Sequence, residues 1–295
     1  MQVLYLRNKY VLVWALVGAV LVAAICGTVH WAGGFRYVFS AAAANVRLTP
    51  VYAVNRDDGQ VSISFDATWG AERTEEILDI LDEYNVKATF FLVNIWMKEY
   101  PEMTREIARR GHEIGLQSVS HPNFPTLTQQ QVDMELRENA DLIKSLTGQQ
   151  PVLFRFPFGD YDNASIEQAE SLGFQPVQWS VDSLDWKDLP ADEIVQRVMS
   201  RVQSGDIILC HNNGLNTPAA TREILSQLQQ QGLQAVPISQ LLLPKESSYI
   251  DYNGIQQPSP GGTAAVSEKE AADKGEAAEP DSPAAGATVP RDAAQ

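Results

Sequence analysis

Residues 62–70 read Ser62-Ile63-Ser64-Phe65-Asp66-Ala67-Thr68-Trp69-Gly70, an alternating apolar run that stops in a carboxylate and then a glycine-containing turn. Alternation of period two is a strand pattern. Asp66 stands where that strand should end, and in parallel α/β architectures reacting groups stand at the carboxyl ends of strands, where loops shape a pocket around them. The rival role for such an aspartate is to cap the next helix. Recurrence of similar endings down the chain favours the site.

Extended apolar runs lie at 61–65, 88–93, 113–116, 152–156, 177–181, 206–210 and 234–238. Between them, Ile77, Ile80, Leu81 and Tyr84 keep a helical period, as do Val132, Leu136, Ile143 and Leu146, and Ile194, Val195, Val198 and Val202. Gly111, Gly148, Gly173, Gly205 and Gly232 each follow a helical pattern, where a left-handed terminal residue is easiest for glycine. This alternation predicts an α/β domain with a parallel sheet covered by helices. Seven such units suggest a closed or nearly closed barrel over an open doubly wound sheet.

The flanks differ in character. Tyr10 to Val29 is almost wholly apolar, and its length falls within the roughly 17 to 25 residues that cross a bilayer as a helix. Arg7 and Lys9 precede it, which predicts a cytoplasmic N-terminus and an extracytoplasmic remainder. The alanine run 41–44 lies too far from the apolar segment to serve as a signal-peptide cleavage site. The chain is thus expected to hold a membrane anchor over residues 1–32, a stalk over 33–58, the main domain over 59–243 and a disordered tail over 244–295, where Ala, Gly, Pro, Ser and charged residues dominate. Its location would be the cell membrane, crossed once.

The 295 residues are 44% hydrophobic, enough for a sizeable core, and carry a formal net charge of −15. That charge argues against nucleic acid as a partner. Cys26 lies in the anchor and Cys210 in a core strand, so a disulfide between them is not expected.

Reading the strand ends in order gives Asp66, then 117–122 (Gln-Ser-Val-Ser-His-Pro), 155–159 (Arg-Phe-Pro-Phe-Gly), 182–186 (Asp-Ser-Leu-Asp-Trp) and 209–211 (Leu-Cys-His). A barrel would gather these on one face. An acid, an arginine, two histidines and a second acidic cluster suit hydrolysis: a carboxylate takes a proton from water, a histidine gives one to the leaving group, and positive charge or a metal faces the oxyanion. A glycosidase using Asp66 and Asp182 as paired carboxylates would leave Arg155 and His211 without a role. His112, beside Gly111 at a helix-to-strand turn, reads as structural.

These five ordered blocks resemble the polysaccharide deacetylases of NodB-homology type, carbohydrate esterases that remove N-acetyl groups from chitin-like polymers or peptidoglycan. Trp69-Gly70, the 182–186 block and His211-Asn212-Asn213 look closest to the sporulation-associated, membrane-anchored branch. The resemblance implies a distorted barrel of about seven βα units and an N-acetylated glycan polymer as substrate. It implies Asp66 as catalytic base, His211 as catalytic acid, Arg155 as the residue orienting the base and Asp182 as the acid that tunes His211, with Asp185 the alternative. Phe158, Trp186 and Leu209 would bind substrate, Phe158 standing where the family has tyrosine. The family's divalent metal, zinc or similar, is held by an Asp directly after the base and two His four residues apart. Here Ala67 and Gln117 replace two of those ligands, leaving His121 with a weak or vestigial Gln117. The same departures support the alternative of a catalytically impaired protein that binds glycan or supports cell-wall assembly.

Overall fold

The structure is a computed structural model that describes Trp14, residues 17–22 and residues 47–260. Of the expected anchor only Trp14 and 17–22 are described, as helix with exposed side chains; the rest of that segment, and residues 261–295 of the expected tail, lie outside the described residues. No helix among the described residues is long and apolar enough to cross a membrane.

The described residues from Thr49 onward form a compact unit. Its centre is β2 (Gln60–Ala67), buried along all but its first residue. Burial on both faces is the environment of a central parallel strand. β3 (Thr89–Leu92) pairs with β2 on one side and β8 (Ile207–His211) on the other, both parallel. Outward from β3 lie β4 (Glu113–Leu116), β5 (Leu153–Phe154) and β6 (Gln175–Pro176); β7 (Val181–Asp182) lies outside β8, and β9 (Gln234–Ala235) pairs with the start of β2.

The helices between strands follow the expected pattern. Helix α1 (Thr74–Glu83) buries Ile77, Leu78, Ile80 and Leu81. Short helices α2 (Asn94–Glu99) and α3 (Pro101–Arg109) lead into β4. Helix α4 (Gln129–Thr147) opens with a capping box from Thr128 and Gln131 and closes on left-handed Gly148, so both ends are satisfied locally. Helices α5 (Asn163–Ser171), α6 (Ala191–Met199), α7 (Thr217–Gln230) and α8 (Ile238–Leu241) complete the unit.

Three expectations are corrected. The run 177–181 is not one strand: β6 and β7 sit at opposite edges of the sheet, and residues 177–180 carry the chain from one edge to the other. The barrel is therefore incomplete, and Val51 fills part of the gap, donating its N–H to Pro176 and accepting from Gln178. The expected stalk also supplies structure, because β1 (Ala53–Val54) belongs to this unit.

The third correction is the start of the tail. Residues 248–258 form β10 (Ser248–Ile250) and β11 (Ile255–Pro258), which make a three-stranded sheet with β1. Buried Gln256 helps this polar segment order: its amide bonds both the N–H and the C=O of Leu243 and the Ser248 hydroxyl, leaving neither amide atom unpaired. Val51 and Val54 belong to the core cluster against which Leu242, Leu243 and Ile250 pack. Truncation after Leu243 should therefore lower the melting temperature by at least about 5 °C, at about 2–4 °C per kcal/mol for a domain of this size. Truncation after Pro260 should leave it unchanged, as a calorimetric scan of the two shortened chains would show.

Candidate active site

Strand register creates the site. Asp66 on β2 pairs with His211 on β8 and with Phe91 on β3, and Phe91 pairs in turn with Gly115 on β4. Residues paired in parallel register point to the same face, so carboxylate, imidazole and aromatic ring stand in one row. Ser62 and Ser64 share that interior face with Asp66, and their hydroxyls donate to the carbonyls of Val236 and Ile208.

Beneath the row lies Arg155, directly after β5 and wholly buried. Its Nη1 donates to Asp66 Oδ1 at 2.7 Å and to Ser64 Oγ at 2.9 Å, and its Nη2 donates to the Gln178 carbonyl at 3.0 Å. The guanidinium stands 4.0 Å from the centre of the Phe91 ring. Gly115 makes room for that ring, because a Cβ there would come within 2.5 Å of it. Burial pulls the Arg155 pKa down while Asp66 pushes it up; arginine's ordinary value is high enough that it stays charged. Arg155 does not line the cleft above, so it orients Asp66 and does not reach a developing oxyanion.

On the other side, His211 Nδ1 meets Asp185 Oδ1 at 2.7 Å, and the His211 backbone N–H donates to Asp185 Oδ2 at 2.7 Å. The Thr217 hydroxyl donates to the same oxygen. The acid that tunes His211 is thus Asp185, not Asp182. Asp182 instead accepts the Leu184 N–H on its side chain, and its carbonyl accepts from Arg197. Burial opposes protonation of His211, yet the hydrogen bond and charge of Asp185, with Asp66 and Asp182, raise its pKa. Burial would likewise raise Asp185, but its bond to His211 carries it below the ordinary carboxylate value. With Nδ1 engaged, Nε2 is the nitrogen left to give a proton.

The cleft over this row has a volume of about 660 Å³ and includes Asp66, Gln117, His121, Phe158, Trp186, Leu209 and His211, with Asp182 on its wall. Phe158 and Trp186 are exposed at its rim, as is Trp69, which the sequence reading does not single out as a binding residue. Its place directly after the base strand is the signal that could have found it.

The loop after β4 carries Gln117 and His121. Asn139 Oδ1 on α4 accepts the N–H groups of Gln117 and Ser118, and Glu135 accepts those of Val119 and Ser120. These anchors were also missed; polar Glu135 and Asn139 on the otherwise apolar face of α4 are their sequence trace. Gln117 Nε2 donates to Asp66 Oδ2 at 2.5 Å. His121 packs edge-on against Phe158, and burial lowers its pKa against the pull of Asp66. Structural His112 accepts the Ala88 N–H on Nδ1, and burial first, then the charge of Lys87, presses its pKa to about 4.

The described residues do not fit a catalytic metal. Ala67 has no donor, Gln117 turns its N–H group to Asp66, and among the described residues no three His, Cys, Asp or Glu side chains are grouped to hold an ion.

The family model for polysaccharide deacetylase matches residues 53–177. A peptidoglycan-N-acetylglucosamine deacetylase of Bacillus cereus is 30% identical over 196 residues, which cover 65% of this chain and 92% of that protein. The chain belongs to the polysaccharide deacetylase family. An uncharacterized protein of Bacillus subtilis, YlxY, is 32% identical over 194 residues, 65% of this chain and 60% of that relative's length. Among solved structures, a wild-type CE4 family pseudoenzyme from Bacillus anthracis superposes with a TM-score of 0.64 at 30% identity, covering 65% of this chain and 68% of that one. The deacetylase fold thus accounts for the parallel sheet and the clustering of strand ends.

Two outcomes test this geometry. In Asp185→Asn the His211 pKa should fall, read by NMR titration of the imidazole. The sign for stability follows: a raised folded pKa stabilises below the ordinary value of about 6.5 and the gain is lost as pH rises through the elevated value. A depressed Asp185 contributes above the ordinary carboxylate range and is lost as pH falls through its folded value. The variant should lack both dependences. Second, Ala67→Asp with Gln117→His should lower thermal stability without metal, because position 67 is fully buried. Zinc should restore it.

Proposed function

We propose that this domain hydrolyses the N-acetyl groups of an extracytoplasmic glycan, with peptidoglycan the favoured polymer. The observation that carries the reading is the register pairing of Asp66 with His211, each held by its own buried partner, over one open cleft. Asp66 would take a proton from water as the water oxygen attacks the acetamide carbonyl. His211 Nε2 would then give a proton to the departing amine as the C–N bond breaks, releasing acetate. Leu209 and Trp186 would wall the acetyl methyl, and Trp69 and Phe158 offer faces on which sugar rings can stack. The names of relatives such as the Bacillus cereus deacetylase support peptidoglycan. We further propose a single-pass anchor at residues 10–29 and a place in spore formation, supported by the apolar segment and by Trp69-Gly70 with the 182–186 block.

A second reading has its own support: the same fold binding glycan without turnover. Both Asp66 oxygens already accept hydrogen bonds, from Arg155 and Gln117, and the metal donors are incomplete.

Asp66→Asn and His211→Ala should each reduce acetate release from N-acetylated oligosaccharide by about 100-fold or more, the usual contribution of a general acid–base group. Activity within a few-fold of wild type in both would place the chemistry elsewhere. Wild-type protein that binds the oligosaccharide but releases no acetate would favour the second reading. For location, a reporter fused behind Gln295 should be active only outside the cytoplasm.

A further inference from the structure

Unpaired acceptors and carboxylates gather at the cleft. Gln117 Oε1, His121 Nδ1 and Asn213 Oδ1 are buried atoms with no hydrogen-bond partner, and all three residues line this cleft beside the carboxylates of Asp66, Asp182 and Asp188. Gln117 is itself 2% exposed. Turning its amide over would not help, since Oε1 would then face Asp66 Oδ2, acceptor against acceptor. Three of the nearest side-chain donors are committed elsewhere: Gln117 Nε2 to Asp66, Asn212 Nδ2 to the Gly70 carbonyl and Thr74, and Arg155 beneath the cleft to Asp66, Ser64 and Gln178.

We propose that the cleft prefers a glycan bearing a free amino group over the same glycan bearing an acetamido group. This rests on the glycan reading above and names the sugar chemistry the site retains. An ammonium carries three N–H donors and no acceptor, so it can serve Asp66 and Gln117 Oε1 together, whereas an acetamide brings one donor and an acceptor of its own. Buried acceptors without partners are costly, and a donor-rich ligand relieves that cost. A divalent cation would also meet acceptors, but among the described residues no three His, Cys, Asp or Glu side chains are grouped to hold one. The ammonium would donate to a remaining lone pair of Asp66 and displaces neither Arg155 nor Gln117.

Calorimetric titration of the full chain, with EDTA present, decides the matter using three ligands: a tetramer of N-acetylglucosamine, the same tetramer with one free amine, and a third with that nitrogen trimethylated. The free amine should bind roughly tenfold tighter than the acetylated tetramer, the scale of one charge-assisted hydrogen bond. The trimethylated sugar keeps the charge but has no N–H at that nitrogen, and should lose the gain. Gln117→Leu should reduce the preference as well; if that variant does not fold, the trimethyl comparison on wild type carries the test. Equal binding of free-amine and trimethylated sugars would mean charge alone acts and would overturn the proposal, as would equal or tighter binding of the acetylated tetramer, or an amine preference that needs added zinc. Acetate release, measured in EDTA-free samples of the same preparation, separates the two claims. Release without amine preference sinks this inference and leaves the hydrolase reading standing; amine preference without release does the reverse.

Discussion

The site depends on one buried ion pair. A guanidinium sealed beneath a strand-end carboxylate needs close pairing and added hydrogen bonds, because desolvating two charges costs several kcal/mol per ion before their attraction returns any of it. Arg155 bonds Asp66, Ser64 and the Gln178 carbonyl and rests its flat face on Phe91, while its buried Nε has no hydrogen-bond partner. Phe91 can lie there because Gly115 leaves the space open. Four strands thus contribute to the orientation of one carboxylate. The gap in the barrel belongs to the same arrangement, since the Gln178 carbonyl that receives Arg155 lies on the segment crossing between the two sheet edges.

Around the cleft, the backbone takes conformations that side chains disfavour. Of the six non-glycine residues with positive φ among those described, Ser118, His121, Phe158, Leu184 and Asp188 lie on loops that bear or flank cleft residues. Left-handed backbone costs an L-residue roughly 1–2 kcal/mol. Such strain persists where surrounding contacts over-determine it. Asn139 and Glu135 supply those contacts for the loop of Gln117 and His121 by accepting four consecutive N–H groups, so α4 acts as a rigid mould for a loop that has no ladder of its own.

Much of this was legible in the sequence because the informative residues are local to strand ends. Asp66, Arg155 and His211 each close or directly follow an apolar run, and five glycines placed after helical patterns, at 111, 148, 173, 205 and 232, all have positive φ. What failed depended on non-local geometry. Choosing between Asp182 and Asp185 required knowing that Leu184 turns left-handed and delivers the second aspartate to His211. The run 177–181 looks like a strand because its residues favour one, whereas the sheet uses it as a bridge. Residues 248–258 carry no apolar periodicity, and their order comes from pairing with distant β1, the packing of Ile250 and the buried amide of Gln256, which composition cannot reveal.

Gln117 joins these threads. A histidine at this position could offer a metal a lone pair and leave Asp66 Oδ2 open to water or ion; glutamine offers Asp66 a donor. The exchange makes the carboxylate self-sufficient, because Arg155 and Gln117 together give each of its oxygens a donor without an ion. The same amide leaves Oε1 unpaired at the cleft. One side chain therefore moves the pocket from a metal-centred, donor-supplying site toward an acceptor-rich one, while the acid His211 on the adjacent strand keeps its own partner and its raised pKa. The strand pairing that brings acid and base together does not depend on that exchange, because it is set by the backbone of β2 and β8.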